Sequence, residues 1–97
     1  MTRRRAPSHL KPETAAWWRS VVRDFELEEH HERLLTLAGE AWDRAEEARK
    51  VTEREGSYYV NRFSEPRSHP AVTVERDARA QFARILRELD LPDPNDG

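Results

Sequence analysis

The stretch from about Glu28 to Glu55 constrains this chain more than any other, because it holds no proline, has Gly39 as its single glycine, and runs up to Gly56. Within it Leu34, Leu35, Ala38, Ala41, Trp42, Ala45, Ala48 and Thr52 recur at helical spacing and lay one apolar stripe along a rod. Gly56 stands where a left-handed C-terminal cap is wanted. At 1.5 Å per residue the pattern predicts a helix of roughly 42 Å. Glu29 with Arg33, Glu40 with Arg44 and Glu46 with Lys50 are spaced to pair one turn apart on the wet side. Alanine dominates the stripe, so a partner helix can approach closely.

Two further helical patterns flank the rod. Pro12 suits a first helical position, where its missing N–H would have been unpaired anyway. Ala15, Trp18, Val22 and Phe25, with Trp17 and Val21 adjoining, then give a broad apolar face that should end near Asp24. A third helix is predicted from Pro70 to Leu89, with Val74, Ala78, Phe82, Ile85, Leu86 and Leu89 on one face. Between Gly56 and Pro70 the period changes to β-favouring Tyr58, Tyr59 and Val60 around polar punctuation, which predicts a short hairpin or ordered loop. That connection lets the third helix fold back antiparallel on the second. The expected fold is all-α: a flexible basic arm over residues 1–10, a helical domain over 11–91 made of a short helix and a long antiparallel hairpin with a small β excursion at its tip, and a flexible tail over 92–97.

A chain of 97 residues with 36% apolar against 37% charged side chains buries a thin core, which argues against a large enclosed active site and for help from a partner surface. The formal charge of -2 hides an asymmetry: residues 1–24 hold six Lys/Arg against two acids, and residues 25–56 hold five against ten. Such a chain favours a polyanion at one end and discourages it at the other. With no cysteine there is neither a disulfide framework nor a thiolate zinc site, and with no long apolar run there is no membrane span, so a cytoplasmic protein is expected.

The residue types offer little catalytic chemistry. His30-His31-Glu32 resembles part of a zinc-protease helix, but that motif needs a second imidazole one turn on, and position 35 is Leu35. Glu46-Glu47 and Glu28-Glu29 read as a solvated helix face, not as a converging acid–base pair. No metal, no cofactor and no enzyme activity are expected. Arg3, Arg4 and Arg5, with Lys11, Arg19 and Arg23 behind them, have the chemistry to neutralise phosphates and release counterions, and by type alone read equally as a solubilising leader. Trp17 and Trp18 point about 100° apart on a helix, so either one meets a neighbouring molecule or both wrap a wide helix junction. Trp42, mid-stripe, is expected in core packing.

Taken in order along the chain, several pieces resemble the small terminase subunits of tailed phages and actinobacterial prophages. They are Ala6-Pro7-Ser8-His9-Leu10, Trp17-Trp18, the run from Leu34 to Asp43, Gly56, His69-Pro70, and Phe82 to Leu91. Their order and separation carry the likeness. The resemblance implies a ring-like homo-oligomer of helical protomers that recognises double-stranded viral DNA and presents it, in the bacterial host cytoplasm, to the large subunit carrying ATPase and nuclease. It implies no catalytic residue here, and it favours DNA contact by Arg3, Arg4, Arg5, Lys11, Arg19 and Arg23. Assembly is then expected to use Trp17, Trp18, Leu34, Ala38, Ala41, Trp42 and Ala45. The chain is short for that family, and its end, Leu89-Asp90-Leu91-Pro92-Asp93, departs from the Gly-Leu and polar tail seen in relatives. The alternatives are a helix-turn-helix DNA-binding regulator and a helical protein–protein adaptor.

Overall fold

Three helices and one small hairpin follow each other in the computed structural model, which describes residues 5–91: α1 (Pro12–Asp24), α2 (Glu29–Glu55), β1 (Tyr58–Val60), β2 (Pro66–Ser68) and α3 (Pro70–Leu89). Arg3, Arg4 and the tail from residue 92 onward lie outside the described residues. The all-α architecture with a β excursion at the turn is the one the periodicity predicts. The described residues span 61 × 27 × 21 Å, because α2 and α3 lie side by side as a long hairpin while α1 covers only part of α2.

Each helix starts for a local reason. Pro12 and Pro70 occupy the first turns of α1 and α3, where no backbone donor is lost. At the start of α2, the Glu28 backbone N–H donates to His31 Nδ1 at 3.1 Å. His69 opens α3 by accepting the Ala71 N–H on Nδ1 at 3.0 Å, which leaves its Nε2–H to donate to Glu55 Oε1 at 3.1 Å. One imidazole thus ties the start of α3 to the end of α2. Gly56 ends α2 at positive φ, but with φ 89° and ψ 161° it sits outside the left-handed helical well that the sequence pattern predicts. The chain here must leave directly into a strand, and only glycine adopts that region without strain.

The buried residues of α2 and α3 are mostly alanine: Ala38, Ala41, Ala45 and Ala48 on one rod, Ala71 and Ala78 on the other. Larger side chains fill the end where three helices meet, with Leu10, Ala15, Trp18, Val21, Leu27, Leu35 and Leu89 forming the core. Leu10, predicted as the end of a flexible arm, belongs to that core, and Ala6 packs on it. The chain before α1 is held there because Leu10 fills the space over Gly39, where an added Cβ would meet its methyls at 3.2 and 3.3 Å.

The hairpin pairs Tyr58 with Ser68, Tyr59 with Arg67 and Val60 with Pro66, antiparallel, and all six residues are exposed. Its turn is built by Asn61, whose Oδ1 accepts the N–H of Phe63 at 2.9 Å and of Glu65 at 3.0 Å.

Candidate nucleic-acid and assembly surfaces

Pro12 starts α1 in a register that buries Thr14, Ala15, Trp18 and Val21, and this leaves Ala16, Arg19 and Arg23 on the outer face. Arg19 and Arg23 are one turn apart and both exposed, so the short helix presents a basic strip to solvent. Arg23 also holds Asp24 at 3.0 Å. Arg5 is exposed and lines a shallow depression with Pro7, Trp18, Arg33 and Leu37, which the carboxylates Glu29, Glu32 and Glu40 also line. Arg33 is itself paired with Glu29.

Lys11 is likewise engaged by a carboxylate. Its Nζ donates to Glu47 Oε2 at 2.9 Å, and this hydrogen bond raises the ammonium pKa and lowers that of the carboxyl. A phosphate approaching Lys11 has to compete with the Glu47 carboxylate for the ammonium. The backbone of Lys11 is engaged too: its N–H donates to Asp43 Oδ2 at 2.9 Å, and Thr14 Oγ1 donates to Asp43 Oδ1 at 2.5 Å.

The tryptophans divide as their spacing allows. Trp18 is 2% exposed, and its Nε1–H reaches Thr36 Oγ1 at 3.2 Å, so it joins α1 to α2 inside the protomer. Trp17 is half-buried and packs on Phe82 of α3 with ring centroids 5.9 Å apart. Trp42, expected in the core, is 39% exposed: its ring lies against Phe82 at 5.1 Å and under the Arg79 guanidinium at 5.2 Å. The physical reason is geometric, since a seam of alanines brings α2 and α3 too close for an indole to fit between them.

Of the residues expected to mediate assembly, Ala38, Ala41 and Ala45 are buried in the protomer along with Trp18, while Leu34 is half-buried against the core. Trp17 and Trp42 remain accessible, and with Glu13, Thr14 and Phe82 they line a cleft of about 240 Å³. Val74 and Leu86, predicted on the buried face of α3, are exposed. Phe82, Arg79, Asp43 and Thr14 were not singled out by sequence as site residues; their roles depend on which residues of distant segments meet.

Two predicted i,i+4 ion pairs give way to other partners. Glu40 meets His9 at 2.7 Å, and Arg44 reaches Gln81 at 3.3 Å. Glu46 takes Arg49 at 2.9 Å and Arg79 at 3.4 Å, and these lower its pKa, the Arg49 hydrogen bond contributing most. The pair of Glu29 with Arg33 forms as expected at 3.1 Å. His30 and His31 stack on each other, and no group of three or more metal-binding side chains converges among the described residues. No helix among these residues is long and apolar enough to cross a membrane.

Comparison with curated proteins gave no match, and comparison with solved structures gave none. The family described as "Phage terminase, small subunit" matches residues 15–94, which takes in most of α1, all of α2, the hairpin and α3. Because that match covers most of the chain, including both rods and the connection between them, the protein belongs to the phage terminase small-subunit family.

Proposed function

We propose that this chain is the non-catalytic DNA-recognition subunit of a phage packaging motor. It binds double-stranded viral DNA, assembles with copies of itself into a ring-like homo-oligomer, and recruits and regulates the large ATPase–nuclease subunit in the host cytoplasm. The observation that carries this reading is the family match over residues 15–94. The charge layout supports it: the leading segment is basic, and the exposed outer face of α1 adds Arg19 and Arg23. Arg3, Arg4, Arg5, Arg19 and Arg23 contact phosphates, and Lys11 joins them where DNA competes with Glu47 for its ammonium. Multivalency converts these weak contacts into useful affinity, since each protomer in an assembly raises the effective concentration of the next. Assembly uses apolar surface left open by the thin core, with Trp17, Trp42 and Leu34 contributing directly. Ala38, Ala41, Ala45 and Trp18 contribute by holding the protomer rigid.

The test is duplex binding across a salt series, run beside light scattering at tens of micromolar protein. An assembled species whose affinity falls steeply with salt is expected. A monomer indifferent to DNA in dilute buffer would overturn the reading.

A further inference from the structure

Two exposed aromatic features of this protein are complementary in shape. The first is concave: the cleft of about 240 Å³ lined by Glu13, Thr14, Trp17, Trp42 and Phe82. Small-molecule sites usually enclose about 300–1,000 Å³, so this one suits a single aromatic side chain better than a metabolite. The second is convex. At the tip of the β1–β2 hairpin Phe63 is 66% exposed, on a turn fixed by two hydrogen bonds to Asn61 Oδ1 and a third from Ser64 N–H to Asn61 O at 3.0 Å. A pre-ordered protrusion loses little entropy on docking. A large apolar ring held in water on a rigid turn marks a contact surface when its neighbours Tyr58, Tyr59 and Val60 are exposed as well.

Charge supplies the occupant. Arg62 lies over the Phe63 ring at 4.9 Å and has no carboxylate partner among the described residues. The cleft holds the carboxylate Glu13, and the groove adjoining it adds Asp43 and Glu46 beside the cations Lys11, Arg49 and Lys50. Asp43 is engaged by Lys11 and Thr14, and Glu46 by Arg49 and Arg79. Of the three, Glu13 alone has neither an ion pair nor a side-chain hydrogen bond among the described residues, and it stands at the aromatic cleft. An uncommitted arginine beside an exposed phenylalanine thus matches an uncommitted glutamate beside an aromatic cleft.

We propose that the hairpin of one copy seats Phe63 in the Trp17–Trp42–Phe82 cleft of a second copy, with Arg62 meeting that copy's Glu13. This rests on the self-assembly proposed above and names the contact that produces it. Because plug and socket are different surfaces, each copy uses both, and the repeat closes into a ring wherever the rotation between neighbours allows.

Light scattering of the full chain and of variants, with far-UV circular dichroism to check helicity, tests it. Phe63→Ser and Arg62→Glu alter exposed positions, so helicity should hold while self-association weakens by about tenfold or more, as expected for central contacts. Combining Arg62→Glu with Glu13→Arg reverses both charges and should restore the assembled mass. Wild-type assembly unaffected by Phe63→Ser and Arg62→Glu would overturn the hairpin contact and leave self-assembly standing. A charge reversal that fails to restore assembly would overturn the Arg62–Glu13 match. A wild-type monomer would overturn the assembly reading itself.

Discussion

Asp43 caps α1 from another helix: its Oδ2 accepts the backbone N–H of Lys11, 32 positions earlier in the chain, at 2.9 Å, and its Oδ1 takes the Thr14 hydroxyl at 2.5 Å. Lys11 at the N-cap has no side-chain acceptor for the first-turn donors, and no side-chain bond is made there; its own N–H, which a capping box leaves to the N3 side chain, goes to Asp43. A carboxylate at a helix N-terminus also faces the positive end of the dipole. Replacing Asp43 with Ala should cost about 2–3 kcal/mol, since a charged hydrogen-bond acceptor is lost and two partly buried donors are left without it. Asp43→Asn, which keeps one acceptor, should cost about half that. Urea denaturation followed by tryptophan fluorescence measures both.

Gly39→Ala sets helix propensity against packing. Alanine favours a helix by about 1 kcal/mol over glycine. Its Cβ would lie 3.1 Å from Thr14 Cγ2 and 3.2 Å from Leu10 Cδ2, and both neighbours are buried, one of them tethered to Asp43. Overpacking of this kind costs about 1–3 kcal/mol, so a net loss near 1 kcal/mol is expected in thermal melts.

Trp18 separates burial from hydrogen bonding. Trp18→Ala should cost about 3–5 kcal/mol, the usual range for emptying a large aromatic site. Thr36→Val keeps the shape and removes only the acceptor of the indole N–H, for a loss of about 1 kcal/mol. Chemical denaturation of the two variants side by side gives the ratio.

Acid should loosen the α1–α2 and α2–α3 joins together. Hydrogen bonds from Lys11 to Glu47, from Arg49 and then from Arg79 of α3 to Glu46, and from Arg54 and then from His69 to Glu55 all lower these carboxyl pKa values. A carboxyl depressed in the folded state stabilises fully above its unfolded value, near 4.3 for Glu, and loses that contribution as pH falls through the folded value. Stability measured from pH 6 downward should therefore decline below about pH 5. Lys11→Met should flatten the part of the decline that belongs to Glu47; an unchanged profile would remove this pair from the account.

For DNA, Arg19→Ala should lower the slope of log affinity against log salt by about 0.9, the value for one phosphate contact, and Arg23→Ala by less, because Asp24 already holds its guanidinium. Lys11→Ala should change the slope less, because Glu47 already holds the ammonium. Fluorescence anisotropy with a labelled duplex reads this directly.

The helices were legible because each is announced by local chemistry: Pro12 and Pro70 open two of them, Gly56 closes the third, and the alanine stripe fixes which face of α2 turns inward. Trp42 was misplaced for a reason that no pattern of single residues reveals. Hydropathy counts indole as core material, whereas the width of the gap between two rods depends on their small residues together. The same limit hid Asp43, Phe82 and the contact of His9 with Glu40, which join segments distant in sequence. The basic strip of Arg19 and Arg23 was foreseeable from composition, but the occupation of Lys11 by Glu47 was not.

The seam of Ala38, Ala41, Ala45 and Ala48 gives the α2–α3 pair the mechanics of closed scissors. A bulky residue introduced near one end acts as a wedge, and the stiffness of a long helix carries the opening to the other end. Side chains well away from the substitution would then move apart, Trp42 from Phe82 first among them. A methyl-sized lining thus sets the geometry of the aromatic surface beside it.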